Sequence, residues 1–103
     1  MNTDSPSQLP LIYLRPEGAD DAARKVMGFR YASPEVGNRH QLGGIPSWIQ
    51  QEMTPDCPGC SRRMTFYGQL DSIGDTIDIA DCGMIYVFLC FDCFHAEAIV
   101  QSG

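Results

Sequence analysis

Beyond Arg63 this chain has neither lysine nor arginine. Residues 57–103 carry six Asp and Glu against Arg62 and Arg63 alone, and the formal charge of the whole is −6. Nucleic-acid binding rests on cations that neutralise phosphates, so this balance argues against DNA or RNA reading by the C-terminal half. An acidic surface suits a basic protein partner better. No run of about 18 apolar residues exists, so no membrane-spanning helix is expected. Residues 1–10 have no basic n-region and no apolar h-region, so no signal peptide is expected either. A cytoplasmic setting follows, in which cysteines stay reduced. No repeat, low-complexity tract or linker divides the 103 residues, and a hydrophobic content of 44% is enough for one core.

What the chain does have is five cysteines, four of them in two short pairs, Cys57-Pro58-Gly59-Cys60 and Cys90-Phe91-Asp92-Cys93. Two residues between cysteines make a tight turn that points both sulfurs the same way, with backbone N–H groups directed at the thiolates. Pro58 presets that turn and Gly59 relieves it sterically. In a reducing compartment two such turns predict a tetrahedral metal site with Cys57, Cys60, Cys90 and Cys93 as ligands and zinc as the first choice of metal. Four thiolates on one Zn²⁺ would bring the charge to about −8. A domain of this size keeps roughly 5–15 kcal/mol of net stability. A structural zinc contributes roughly 10–16 kcal/mol in small peptides. The metal is therefore expected to be part of the fold.

Along the chain, residues 1–8 read as a frayed polar tail and residues 9–103 as one domain. A short strand is expected over 9–14 and a helix over 20–27, capped by Asp20 or Asp21 and stopped at Gly28. A further strand is expected over 29–32, then an irregular Gly- and Pro-rich connection over 33–46. Residues 64–70 alternate, placing Met64, Phe66 and Leu70 on one face, with Gly68 marking a bulge or a close backbone approach. Residues 83–91 are apolar throughout, as in a central strand covered on both sides. Residues 95–101 alternate again, with Ala96, Ala98 and Val100 inward. The predicted fold class is β-rich (α+β): a small single domain with a zinc-ribbon-like antiparallel sheet and one short helix.

Several other chemistries compete for the same residues. The 29-residue gap between the pairs also matches the rubredoxins, one-electron carriers with iron on four cysteines. Their knuckles usually continue with Gly, whereas Ser61 and Phe94 stand here. Thiol–disulfide exchange wants a cysteine at a helix N-terminus, and the residues after Cys60 read as a strand. Cys82, His40 and His95 read as structural or surface residues and are not assigned as ligands. A closed four-cysteine shell leaves no position for water or substrate, which argues against metal-dependent hydrolysis. No nucleophile stands in a recognisable context, so no catalytic residue is assigned. Gly43-Gly44-Ile45-Pro46 lacks the rest of a phosphate loop and reads as a tight turn. Trp48 is a candidate contact residue or a packing residue. Asp71, Asp75, Asp78 and Asp81 form an acidic segment of candidate partner contacts, with spacing unsuited to a calcium hand.

Taken in order, the Gly43-Gly44-x-Pro46-x-Trp48 stretch, Cys57-Pro-Gly-Cys60, Met64-x-Phe66-x-x-Gln69, the aromatic strand Tyr86-Val-Phe-Leu-Cys90 and then Cys93 resemble two related groups. One is the bacterial YwqG-like family of uncharacterised proteins. The other is the N-terminal zinc-binding part of the programmed cell death protein 2 family. The resemblance covers roughly residues 39–93. It implies a β-rich fold with zinc on the cysteines and no established catalysis. It also implies a partner-binding role, as an immunity protein against a toxin or a dedicated chaperone for a basic ribosomal protein. The expected function is thus a non-enzymatic, acidic, zinc-stabilised module that binds a basic protein, with immunity preferred to chaperoning. A rubredoxin-like carrier and an accessory zinc subunit of a larger complex are the alternatives.

Overall fold

A computed structural model describes residues 8–103, so all of the expected tail but Gln8 lies outside the described residues. The described chain builds one five-stranded antiparallel sheet whose strands lie in sequence order. They are β1 (Ile12–Tyr13), β2 (Gln41–Leu42), β3 (Thr65–Asp71), β4 (Met84–Leu89) and β5 (Ala96–Gln101). One short helix, α1 (Asp21–Lys25), sits between β1 and β2. Asp20 caps it, its carboxylate accepting from the Ala23 N–H at 2.8 Å. The β-rich expectation with a single short helix holds at this level.

Several details depart from what the residues predict. Residues 29–32 form no strand: Gly28 turns at φ 93° and donates to the Ile73 carbonyl, and turns at Val36 and Asn38 follow. Tyr31 is left 91% exposed, with no neighbouring strand to pair with. The irregular connection instead contributes β2, which pairs β1 on one side and β3 on the other.

The third departure is in β3. Its register against β4 shifts between Phe66 and Gly68, so Tyr67 is an extra residue. A bulge of that kind exchanges the faces of everything after it. Met64, Phe66, Gln69 and Asp71 are buried, while Tyr67 and Leu70 are exposed. Leu70 thus leaves the face it shares with Phe66 in a simple alternation. Gly68 sits where the bulge brings β2 close: an added Cβ would lie 2.7 Å from the Gln41 carbonyl oxygen.

The core lies on one face of the sheet. Phe66, Met84, Tyr86 and Phe88 form it with Met64, Cys57 and Cys90, and Trp48, Ile49 and Ile99 pack against it. The opposite face of β4 is half-buried rather than covered, and Ala96, Ala98 and Val100 of β5 point to that open side. The covered side of β5 carries Glu97, Ile99 and Gln101 instead. Continuous hydrophobicity in β4 therefore marks a strand with one face packed and the other open.

Residues 43–51 cross the covered face as a strap. Gly43 starts it at φ 61°, where a Cβ would fall 2.1 Å from the Pro10 carbonyl oxygen, so only glycine fits. Trp48 lands on the core, its ring 4.6 Å from that of Tyr86 and 5.9 Å from that of Phe88. At its start Gly43 N–H donates to the Tyr67 carbonyl and Gly44 N–H to the Leu9 carbonyl, both at 2.8 Å, and from Ser47 onward buried side chains from the sheet supply hydrogen bonds. Gln69 accepts from the Ser47 N–H at 3.0 Å and donates to the Arg39 carbonyl at 2.8 Å. Tyr86 donates its hydroxyl to the Ser47 carbonyl at 2.7 Å. Gln101 accepts from the Ile49 and Gln50 N–H groups at 3.0 and 2.9 Å and donates to the Gln51 carbonyl at 2.6 Å.

Replacing a buried amide by an isosteric hydrocarbon would strand these donors. Gln101→Leu is expected to cost about 2 kcal/mol in urea denaturation, with metal content unchanged. A variant as stable as the parent would show that the strap does not depend on that amide.

Candidate metal centre

The two cysteine turns sit at the same end of the sheet. The first precedes β3, bracketed by an isolated antiparallel bridge between Asp56 and Arg63. The second is the connection between β4 and β5. Their backbones repeat each other. Ser61 N–H donates to the Cys57 carbonyl and Phe94 N–H to the Cys90 carbonyl, both at 2.7 Å. Cys57 N–H donates to the Arg62 carbonyl at 2.7 Å, and Cys90 N–H to the His95 carbonyl at 2.8 Å. Ser61 and Phe94, the residues after each pair, take φ values of 64° and 55°. That is the left-handed conformation in which glycine is at ease.

These turns bring four sulfurs together. The Sγ atoms of Cys57, Cys60, Cys90 and Cys93 all lie within 4.8 Å of one another, and Cys60 and Cys90 are 3.7 Å apart. Four sulfurs placed tetrahedrally about 2.3 Å from one ion would be about 3.8 Å apart, so the donor set fits a tetrahedral metal. Gly59 N–H points at Cys57 Sγ at 3.3 Å and Cys93 N–H at Cys90 Sγ at 3.4 Å, the donors that stabilise thiolates. Cys57 and Cys90 are buried in the core cluster, whereas Cys60 and Cys93 face solvent. Arg62 joins Asp92 at 2.8 Å and ties one turn to the other.

The protonation of the sulfurs follows from their crowding. Backbone N–H groups of Cys93 and Asp92 bring the Cys90 thiol down to about 7 against the pull of burial. The Cys60 sulfur, together with burial and the Cys57 and Cys90 sulfurs, pushes Cys93 up to about 12. Cys60 receives an N–H from Arg62, but burial and the Cys90 and Cys57 sulfurs leave its thiol raised. Four sulfurs this close cannot all ionise unaided; a divalent cation among them would remove that conflict.

The other sequence candidates lie outside this cluster. His95 pairs with Glu97 at 3.0 Å. His40 is buried: its Nδ1 accepts from the Asp71 N–H at 3.0 Å and its Nε2 lies 3.1 Å from the Gly37 carbonyl oxygen. Cys82 stands beside Asp78 and Asp81 at an exposed left-handed turn, where Asp78 accepts from the Cys82 N–H at 2.6 Å. Of the four acids, Asp75, Asp78 and Asp81 are exposed and Asp75 meets Arg30 at 3.4 Å. Asp71 does not share that surface. Its side chain is fully buried and its carboxylate accepts Nε and Nη2 of Arg39, both at 2.8 Å, plus the Gly37 and Arg39 N–H groups at 2.7 and 3.0 Å. Trp48 is half-buried on the core.

Sequence reasoning missed the Arg39–Asp71 pair, because the two residues are far apart and meet only through the pairing of β2 with β3. Burial opposes the Asp71 carboxylate, but the Arg39 guanidinium and the two backbone donors outweigh it and hold it below the usual carboxylate range. The pair anchors the turn before β2 to the end of β3, and Arg39 also donates to the Cys82 carbonyl at 2.9 Å.

No family model matches the chain, and no solved structure matches it. A stretch of 53 residues is 40% identical to an uncharacterised protein, YpfL, of Salmonella typhimurium. That stretch is 52% of this chain but 12% of YpfL, so the likeness concerns a small part of a much longer relative.

Two outcomes follow from this geometry. Cys57→Ser or Cys93→Ser should lose the bound metal and give insoluble or partly unfolded protein, whereas Cys82→Ser should keep one metal per chain by elemental analysis. Full metal retention in Cys57→Ser would remove that residue from the site. For Asp71, the folded-state value lies below the unfolded one. Its contribution is therefore present above about pH 4 and is lost as pH falls through the lowered value. Denaturation at stepped pH should show this acid loss in the parent and a flatter profile in Asp71→Asn, which itself costs about 3 kcal/mol by leaving Arg39 unpaired.

Proposed function

We propose that the chain is a non-enzymatic protein-binding module whose β-sheet is held together at one end by structural zinc, in the manner of a zinc ribbon. The observation that carries the metal part is the four-sulfur cluster. Cys57, Cys60, Cys90 and Cys93 fill every position of a tetrahedral ion, so the ion would supply cohesion and no open site for substrate. Zinc is preferred because Ser61 and Phe94 stand where rubredoxin knuckles usually continue with glycine.

The binding part rests on charge. No lysine or arginine follows Arg63, and Asp75, Asp78 and Asp81 stand exposed on the connection between β3 and β4. That surface fits a basic protein, and long-range attraction of this kind weakens with salt. Immunity to a basic toxin is the preferred role, in keeping with the YwqG-like resemblance; holding a basic ribosomal protein is the second. An accessory subunit within a larger assembly is the third. A cytoplasmic, reducing location fits the free thiols; among the described residues no helix is long and apolar enough to cross a membrane.

Iron in the same site is the alternative from another class. A tetrahedral set of four sulfurs accepts iron as well as zinc. Colour separates the two metals: an iron–sulfur centre of this type is red and bleaches on reduction, and a zinc protein is colourless.

The charge account has its own measurement. A tagged chain should retain a stoichiometric basic protein from native-host lysate at low salt and release it as salt rises. Reversing Asp75, Asp78 and Asp81 to Lys should weaken capture by about tenfold or more. Equal capture by the reversed variant, with unchanged salt dependence, would overturn the acidic segment as the contact surface.

A further inference from the structure

Among the described residues β5 is a sheet edge of an unusual kind. It pairs with β4 through six consecutive residues without a shift in register, and contains no proline, no lysine and no bulge. Natural proteins ordinarily blunt such an edge with one of those devices or with a charge on its covered side, because its free N–H and C=O groups will pair with any extended chain. Glu97 is the one charge on β5, and it disfavours strands that bring no cation to it. The hydrogen bond from Cys90 N–H to the His95 carbonyl fixes the parity of the ladder. By antiparallel alternation, Glu97, Ile99 and Gln101 direct their backbone groups toward β4. Ala96, Ala98 and Val100 therefore direct theirs outward. Their side chains are exposed on the open, uncharged face of the sheet, where they continue the row of Ile85, Val87 and Leu89.

We propose that the outer edge of β5 accepts an extended segment of a partner protein that alternates apolar residues with lysine or arginine. This deepens the protein-binding reading above and rests on it. The alternation follows from the two sides of the edge. On the open face an added strand lies beside Ala96, Ala98 and Val100, small apolar side chains that leave room for larger apolar ones. On the other face it meets Glu97, whose carboxylate is partly exposed and pairs with His95, followed by Ile99 and Gln101. A cation opposite Glu97 makes a favourable cross-strand pair. No lysine or arginine stands in β3, β4 or β5 to repel such a segment. A second copy would bring the same charge of −6 and another Glu97 to the same edge. Main-chain pairing supplies the affinity and the alternating side chains supply the choice of partner.

The probe is an acetylated, amidated peptide of about eight residues alternating valine and lysine, long enough to span the edge. Its valine–glutamate counterpart is the control. Added to the full-length, metal-loaded, isotope-labelled chain, the lysine peptide should slow amide exchange at Ala96, Ala98 and Val100 by roughly tenfold or more. The glutamate peptide should bind roughly tenfold more weakly. Ala98→Pro should abolish peptide binding while the β4 amides stay protected, since the lost N–H points away from β4 and proline is tolerated at an edge. Protection elsewhere on the sheet, equal affinity for the two peptides, or undiminished binding by Ala98→Pro would each overturn the proposal. So would concentration-dependent dimerisation that protects the same amides without peptide, which would assign the edge to a second copy. The two readings fail separately. Capture of a basic partner by Ala98→Pro as well as by the parent keeps the binding function and removes β5 from it. Peptide pairing on β5 with no basic partner retained from lysate keeps the edge and removes the function.

Discussion

Everything at one end of this molecule depends on four sulfur atoms being forced into one small volume. Each cysteine turn is closed by its own hydrogen bonds, in a matched backbone pattern. They converge only because β3 and β4 pair along most of their length and β5 folds back on β4. Once converged, the sulfurs cannot all carry charge without a cation, and thiols left protonated there lose the benefit of the N–H groups aimed at them. A metal held there would resolve that conflict and join the entry to β3 with the turn between β4 and β5. Cys57 and Cys90 extend this linkage into the core, where they touch the cluster of Phe66, Tyr86 and Phe88.

The far end is organised differently. There the sheet is narrow, with β1 and β2 two residues each, and cohesion comes from buried polar side chains. Gln69, Gln101 and Tyr86 hold the strap that carries Trp48, and Asp71 grips Arg39 and the turn before β2. The Gly-Gly-x-Pro-x-Trp and Met-x-Phe-x-x-Gln stretches are two halves of one device: the glutamine of the second holds the backbone of the first. The covered face is thereby closed by a nine-residue strap, residues 43–51, and the other face is left open.

Much of this was legible in the sequence where the signal is local. Paired cysteines at a two-residue spacing announce turns and a cluster of sulfurs together, and β3, β4 and β5 fall within a residue or two of their hydrophobic patterns. Asp20 marks the start of the helix for an equally local reason, whereas the helix ends at Lys25 with Val26 as its C-cap, short of Gly28. What failed was what depends on neighbours. The bulge at Tyr67 moves Leu70 from the core face to the open face, and no pattern within β3 reveals it without the partner strand. The outward placement of Ala96, Ala98 and Val100 is likewise set by the register with β4. Gln41-Leu42 became a strand because β1 and β3 flank it, whereas Phe29–Ala32, with better strand residues, has no such neighbours. Buried glutamines are silent in a sequence, since burial of a polar side chain is decided by the backbone it satisfies.

The central claim is that a metal on Cys57, Cys60, Cys90 and Cys93 is part of the fold. The most direct measurement is a chelator titration of the purified chain, following released metal and the near-ultraviolet circular dichroism of Trp48 and its aromatic neighbours in the same sample. The account predicts one metal per chain and loss of the aromatic signal in step with its release. An unchanged signal from a chain stripped of metal would contradict it.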